Sequence, residues 1–314
     1  VKLSEDRVKG YRNFLNKLWN ANNFLIQNKC NLKNSKKLPK LKININKWIY
    51  FELLKTSKLI KKNIEDYRFD EAAKNAYHFA WHKYCDWYLE LSKTIIFSDN
   101  VKAQKEVKEV STFVFRQILI MLHPFIPFVT EKIWLKNKFD NKNKNFLMLS
   151  NWISGKSKKD KDHNQVQKII NIISQIRSFK NELNVSPGSF IDISIHNIKK
   201  NNQSFFKSNE VVIKKLGRIN NFFNKDLNKP AASLLILGDL FKIYFDENVD
   251  LNLIKENLVK RQNNYQEEMD KLSQRLNNKD FVQRAPKDIV QQEKTNYSNL
   301  KNDIKKISLT IESL

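Results

Sequence analysis

Over roughly the first 140 residues, apolar side chains recur at steps of three and four positions, the spacing of amphipathic helices. The clearest example is the stretch 67–92, which contains no Gly or Pro. Its alanines would let a neighbouring helix approach closely, and its tyrosines and tryptophans widen the apolar surface beyond one stripe. We therefore expect this helix to lie at the centre of a bundle, buried on more than one side. The stripe consists of Phe69, Ala72, Ala73, Ala76, Ala80, Tyr84, Trp87 and Leu91.

The same spacing predicts four more helices, at about 4–27, 45–60, 101–121 and 128–135. Ser4 is a suitable N-cap for the first, and Pro124 and Pro127 separate the last two. The pattern indicates an antiparallel helical bundle over 1–145. The side chains expected to face inward from the first helix are Val8, Tyr11, Leu15, Leu18, Trp19, Leu25 and Ile26.

After two polar stretches the pattern becomes mixed. A helix is predicted at 166–183, a strand of partly alternating residues at 190–195, and another helix at 205–216. The apolar runs 231–237 and 241–245, separated by Gly238 and Asp239, predict a hairpin. We interpret 146–248 as a small α+β connector domain.

From residue 251 the apolar spacing is heptad-like in two stretches, which Pro286 separates because it cannot continue a helix. The pattern predicts an antiparallel coiled-coil hairpin over 249–314, and the fold class of the whole chain is mainly α. The seam residues are Leu258, Tyr265, Met269, Leu272 and Leu276, then Tyr297, Leu300, Ile304, Ile307, Ile311 and Leu314.

Composition adds a strong charge. The 314 residues carry 57 Lys and Arg against 33 Asp and Glu, a net charge of +24, which favours a polyanionic partner such as nucleic acid. Lys, Asn, Ile and Phe are all abundant, as in proteins encoded by AT-rich genomes, so charge alone does not decide the matter. Two cysteines and the lack of an apolar run of roughly 18–20 residues fit a cytoplasmic protein without a membrane span. Because a helix begins only a few residues after Val1, we expect an upstream part of the protein to precede this sequence.

Candidate catalytic chemistry is sparse, and we predict no catalytic residue and no metal site. His78, His82, Cys85 and Asp86 have helical spacing that could hold zinc, but packed or capping histidines are favoured in so aromatic a helix. The sequence Gly-Lys-Ser at 155–157 ends like a phosphate-binding loop, yet Ser150 stands where that motif needs Gly.

Three segments carry a family resemblance. Tyr-Arg-Phe-Asp-Glu-Ala-Ala at 67–73, followed by Tyr-Cys-Asp-Trp-Tyr-Leu-Glu at 84–90, resembles the central helix of the anticodon-binding domain of valyl-tRNA synthetases. Segment 10–21 is similar to the first helix of that domain, and segment 122–131, with His-Pro-Phe-Ile-Pro-Phe, to the turn into its last helix. Related class I synthetases share that turn. Segment 176–188 resembles the part that follows the bundle, and 277–290 the tip of the C-terminal arm, which separates valyl from isoleucyl and leucyl enzymes.

The resemblance implies the tRNA-binding C-terminal part of a valine-tRNA ligase, in which valine tRNA is the partner and the arm contacts its outer corner. The parent enzyme would use ATP and Mg²⁺, whereas no cofactor is expected in this part, which we expect to be monomeric and inactive alone. Neither catalytic motif of class I synthetases is present, since the superficially similar Lys-Thr-Ser-Lys-Leu at 55–59 lies within a helical pattern. The alternatives are a stand-alone RNA-binding or coiled-coil interaction protein, or the corresponding part of isoleucyl- or leucyl-tRNA synthetase.

The resemblance also implies two groups of tRNA-binding residues. Anticodon bases would stack on aromatic rings and be read by polar groups, among which Glu90 is the strongest candidate because bulk charge does not explain a carboxylate there. For each aromatic residue, burial in the core is the competing interpretation; for the arm tip it is a solvated turn. The anticodon candidates are Arg12, Asn13, Lys17, Asn20, Phe24, Asp86, Trp87, Glu90 and Lys93. Candidates for contact outside the anticodon are Arg177, Asn181, Lys279 and Arg284.

Overall fold

The computed structural model describes residues 4–30, 37–139, 146–155, 161–195, 198–245, 249–278 and 286–314. The chain forms two compact units, Val1–Ile170 and Asn171–Leu314. Most described residues are helical, which confirms the mainly α class. In the described part of the chain, no helix combines the length and the apolar character that a membrane crossing requires.

The first unit is a helical bundle, as predicted. Its elements are α1 (Glu5–Gln27), α2 (Asn44–Glu65), α3 (Phe69–His78), a π-helical segment (Phe79–Tyr88), α4 (Leu89–Ile96), α5 (Val101–Leu122), α6 (Pro127–Asn137), a 3-10 turn (Leu147–Leu149) and the first part of α7 (Lys161–Glu182).

The central helix of the bundle consists of α3, the π-helical segment and α4, which follow one another directly. Its core residues include Tyr84 and Tyr88, both fully buried. The Tyr84 hydroxyl donates to the Ser111 carbonyl at 2.8 Å, and the Tyr88 hydroxyl to Asn46 Oδ1 at 2.7 Å. These bonds tie the central helix to α5 and α2. The prediction that this helix lies at the centre of the bundle is therefore confirmed.

The π-helical segment was not predicted, because the apolar spacing of 67–92 fits an ordinary α-helix. Backbone bonds that span five residues widen the turn, so residues four and five apart come to lie on the same side. His78, His82 and Asp86 consequently share one face of the helix, and the two histidine rings lie 4.8 Å apart. Segments of this kind are frequent at functional sites.

The predicted inner face of α1 is partly wrong. Val8, Tyr11 and Ile26 are 54%, 65% and 43% exposed, respectively. The buried stripe instead runs through Phe14, Leu18, Ala21 and Leu25, which follow one another at steps of four, three and four. The sequence offers more apolar residues on α1 than its neighbours cover, and only packing selects among them. The same holds for Phe69, which is 55% exposed at the start of α3.

The second unit contains a four-stranded sheet. Its elements after α7 are β1 (Ile191–Ser194), α8 (Lys200–Ser208), α9 (Glu210–Gly217), β2 (Ile219–Phe223), β3 (Ala232–Ile236) and β4 (Asp239–Phe245), and the strand order is β2-β1-β4-β3. The predicted hairpin is confirmed: β3 and β4 are antiparallel, and Leu237 and Gly238 have the positive φ values of 54° and 77° that a tight two-residue turn requires.

Two features of this unit differ from prediction. Strand β2 was missed, because Ile219 is followed by two asparagines and the segment does not alternate; it pairs parallel to β1, a long-range contact. The single helix predicted at 205–216 is two helices, α8 and α9, which meet at Asn209.

Two long helices, α10 (Leu251–Asn277) and α11 (Lys287–Ser313), end the second unit. Gln262 Nε2 donates to Ser308 Oγ at 2.7 Å, and Arg275 pairs with Glu293 at 3.5 Å. Residues nearer the end of α10 therefore contact residues nearer the start of α11, so the two helices are antiparallel. The helix pair is confirmed, while its supercoiling stays a prediction.

Candidate nucleic-acid interface

Helix α1 lies alongside the central helix and runs parallel to it. The Phe14 ring lies 4.7 Å from that of Tyr77, Lys17 Nζ lies 2.8 Å from Asp86 Oδ1, and Lys93 Nζ lies 5.6 Å from the Phe24 ring centre. Later residues of α1 thus contact later residues of the central helix. The structure brings the anticodon candidates of α1 next to those of the central helix.

Charged side chains form ion pairs along this surface, both between the two helices and within the central helix. Asp86 accepts from Lys17 at 2.8 Å and lies 3.1 Å from His82 Nδ1, and Glu90 pairs with Lys93 at 2.6 Å. Burial lowers the pKa of Lys17, but the hydrogen bond and the charge of Asp86 outweigh it, so that its pKa is raised overall. Lys17 therefore stays protonated at neutral pH, and both candidate carboxylates are already partly neutralised.

Lysine ammonium groups also lie over aromatic rings near the contact between α1 and its neighbours. Lys17 Nζ lies 5.5 Å from the Trp81 ring centre, Lys93 Nζ 5.6 Å from that of Phe24, and Lys136 Nζ 4.6 Å from that of Trp19. Cation–π contacts of this kind fix the position of a flexible lysine without using its hydrogen-bond donors. The surface therefore holds cations against the faces of aromatic rings.

The remaining candidates of the first unit differ in accessibility. Arg12, Asn13 and Asn20 are exposed on α1, whereas Trp87 is half-buried. Trp81 was missed as a candidate. It is half-buried and stacks on Phe14 at 5.9 Å, beneath Lys17. Its spacing of four from Tyr77, off the alanine stripe, was the signal for this position.

His78 and His82 form a mixed polar cluster on this surface together with Asp86. Burial lowers the pKa of His78, and the charges of His82, Lys83 and Lys74 lower it further. The nearby Cys85 is buried, which raises the pKa of its thiol to about 12. Within the described ranges, no three His, Cys, Asp or Glu side chains are placed to hold a metal ion.

The candidates for contact outside the anticodon lie in the second unit. The Arg177 guanidinium donates from Nε and Nη2 to the Leu216 carbonyl at 3.2 and 2.9 Å, so it caps the end of α9. Asn181 is exposed one turn further along α7. Lys279 and Arg284 lie outside the described residues.

Comparison with known proteins gives a family match for two segments of the chain. Residues 46–195 match the family model described as the anticodon-binding domain of tRNA ligase, and residues 250–314 match the valyl tRNA synthetase tRNA binding arm. The chain is 69% identical over 314 residues to the valine–tRNA ligase of Pelagibacter ubique, covering 100% of this chain and 36% of that protein. It is 34% identical over 323 residues to the valine–tRNA ligase of Zymomonas mobilis, with the same coverages of 100% and 36%. The enzyme of Bartonella quintana is 32% identical over 316 residues, with coverages of 100% and 35%. The chain thus spans about a third of the length of the curated relatives it matches.

Proposed function

Because the chain belongs to the valyl-tRNA synthetase family and carries its anticodon-binding and tRNA-binding-arm domains, we propose that it holds valine tRNA for aminoacylation. In this proposal the helical bundle takes the anticodon loop and the α10–α11 pair contacts the outer corner of the tRNA. The parent enzyme then joins valine to the tRNA with ATP and Mg²⁺.

The observation that carries the proposal is the surface formed by α1 and the central helix. An anticodon loop is single-stranded, so its bases can be splayed out, stacked on aromatic rings and read along their edges. Stacking contributes about 1–3 kcal/mol per base. Lys17 Nζ and Lys93 Nζ lie 5.5 and 5.6 Å from the ring centres of Trp81 and Phe24, so this surface holds cations for loop phosphates close to aromatic side chains.

Base recognition would fall to the two carboxylates of the same surface. Asp86 and Glu90 each have a lysine within hydrogen-bonding distance, at 2.8 and 2.6 Å. A carboxylate oxygen can accept from a base amino group while its partner lysine moves to a phosphate. After such an exchange the carboxylate keeps a hydrogen-bond donor in the base amino group, and the lysine is paired with the phosphate charge.

We assign the chemistry of ligation to the parent enzyme. The Lys-Thr-Ser-Lys segment at 55–58, which superficially resembles one catalytic motif of class I synthetases, lies in the middle of helix α2. The role that we propose for this chain is to bind and orient the tRNA. We further propose a monomeric, cytoplasmic protein divided at 1–145, 146–248 and 249–314.

Equilibrium filter binding tests this function with valine tRNA, an unrelated tRNA and heparin as a competitor, at roughly 50 and 200 mM salt. We expect binding that weakens with salt, and a preference for valine tRNA that disappears when its anticodon is exchanged. Equal affinity for every tRNA and for heparin at low ionic strength would overturn the proposal.

A matched pair of variants tests the role of Glu90. Glu90→Gln removes a carboxylate from a helical Lys–Glu pair on the proposed surface, whereas Glu65→Gln does the same on α2, where Glu65 pairs with Lys61 at 3.8 Å. We expect Glu90→Gln to lower the preference for the valine anticodon about tenfold, in the range of one lost base contact. Glu65→Gln should leave the preference unchanged; a loss of the same size in both variants would refute base recognition by Glu90.

A further inference from the structure

Two arginines of the second unit converge where α9 ends and strand β2 begins. Arg177 of α7 donates from Nη2 to the Leu216 carbonyl at 2.9 Å, and Arg218 follows Leu216 by two residues. Arg218 in turn lies over the Phe190 ring at 5.6 Å, and its carbonyl accepts from the Ile191 N–H at 3.1 Å. Both arginine side chains are exposed, so a ligand in solvent can reach them.

A third cation lies beside them. Lys180 is only 2% exposed, and its Nζ donates to the Ser189 carbonyl and, at 3.5 Å, to that of Pro187. Burial lowers the pKa of Lys180, and the charges of Arg218 and Arg177 lower it further. Three cations gathered in this way repel one another, and an anion would relieve that repulsion.

The backbone of Arg218 has an uncommon conformation. Its φ is 55°, in the left-handed region, at the position just after a helix where Gly or Asn is usually found. Asn adopts this conformation more readily than Arg, so replacing Arg218 by Asn removes the charge without straining the backbone.

We propose that Arg177, Lys180 and Arg218 form a phosphate-binding cluster that takes a phosphodiester group of the bound RNA. This inference rests on the proposed tRNA-binding function and adds a contact between the bundle and the arm along the chain. A guanidinium matches two phosphate oxygens at once, so the exposed arginines would bind the phosphate directly. The buried Lys180 adds positive charge to the cluster. Because a phosphate group is the same in every nucleotide, such a contact has no sequence preference.

The variant Arg218→Asn tests this cluster without a folding defect, because Asn tolerates the left-handed conformation better than Arg. We expect its unfolding temperature to equal or exceed that of the unchanged chain. The affinity of the full chain for valine tRNA should fall about three- to tenfold at physiological salt, and the slope of log K against log salt should become shallower by about 1. The control is Lys207→Asn, which removes one exposed positive charge from α8 in the same unit.

The outcomes separate this inference from the proposed function. If the unchanged chain binds no tRNA, the proposed function fails. If it binds and Arg218→Asn keeps the same affinity and salt slope, only the cluster is refuted. An equal loss in Lys207→Asn would also refute it, because the effect would then be one of diffuse charge. A site for free phosphate would refute the RNA contact as well. It would show as stabilisation of the chain by inorganic phosphate that Arg218→Asn abolishes, while RNA binding stays unchanged.

Discussion

The hydroxyl of Tyr88 offers the sharpest test of how the bundle holds its central helix. Tyr88 is fully buried, and its hydroxyl donates to Asn46 Oδ1 at 2.7 Å. Asn46 Nδ2 donates in turn to Glu106 Oε1 at 2.9 Å, and Ser111 Oγ lies 3.4 Å from the Tyr88 hydroxyl. The variant Tyr88→Phe removes one oxygen atom from this network and leaves the ring in place.

The expected cost follows from what the missing hydroxyl leaves behind. Within the described part of the chain, Asn46 Oδ1 has no hydrogen-bond donor other than Tyr88. Leaving a buried acceptor unsatisfied costs about 1–3 kcal/mol. In a cooperative unit of this size, each kcal/mol lowers the midpoint temperature by about 2–4 °C. Tyr88→Phe should therefore lower the midpoint for the first unit by about 2–12 °C.

Guanidinium and thermal unfolding, followed by far-UV circular dichroism, measure this loss. The control is Ser92→Ala, because Ser92 is also fully buried but its hydroxyl donates to the carbonyl of Leu89 in its own helix, at 2.8 Å. A bond of that type adds little to helix stability, so we expect a change within about 0.5 kcal/mol. The m-value should stay constant in both variants, since neither alters the surface exposed on unfolding.

Two results would refute this reasoning. If Tyr88→Phe is as stable as the unchanged chain, the Asn46–Tyr88 bond does not hold α2 against the central helix. If Ser92→Ala costs as much as Tyr88→Phe, the loss reflects any buried hydroxyl and not this network.

Three further predictions concern the charged surface and the buried thiols. Asp86→Asn frees Lys17, so filter binding over a salt series should show tighter binding of unrelated RNA and a salt slope steeper by about 1; weaker binding of unrelated RNA would contradict this. Because burial raises the pKa values of Cys30 and Cys85 to about 11 and about 12, both thiols should resist Ellman's reagent at about pH 8 in the native chain and react fully in denaturant; rapid native labelling would count against their burial. Because the pKa of His78 is lowered in the folded chain, the unfolded state takes up a proton first as the pH falls below 6.5, and the free energy of unfolding should decrease there. The variant His78→Gln should lose less of this free energy between about pH 8 and 5.5, as measured by guanidinium titrations. Identical losses in the two chains would refute the prediction.

The candidate surface was only partly predictable. The resemblance named Lys17, Asp86 and Glu90 as separate polar residues, and the structure adds that Lys17 pairs with Asp86 across two helices. The sequence alone assigns Trp81 to extra apolar surface, because whether an aromatic ring faces the core or a neighbouring lysine depends on packing. Arg177 was a candidate from position alone, and its bond to Leu216 is a contact across 39 positions that no local pattern reveals.

The sequence by itself determined most of the helices, their order, the antiparallel pair at the end of the chain and the β3–β4 hairpin. Each of these depends on the spacing of apolar residues or on a turn of a few residues, and such information is local. Tertiary structure alone decided the exposure of Val8 and Tyr11, the parallel pairing of β2 and the meeting of Arg177, Lys180 and Arg218. These features join residues far apart in the chain, so they exist only once the elements have packed, when burial, charge and backbone strain are fixed together.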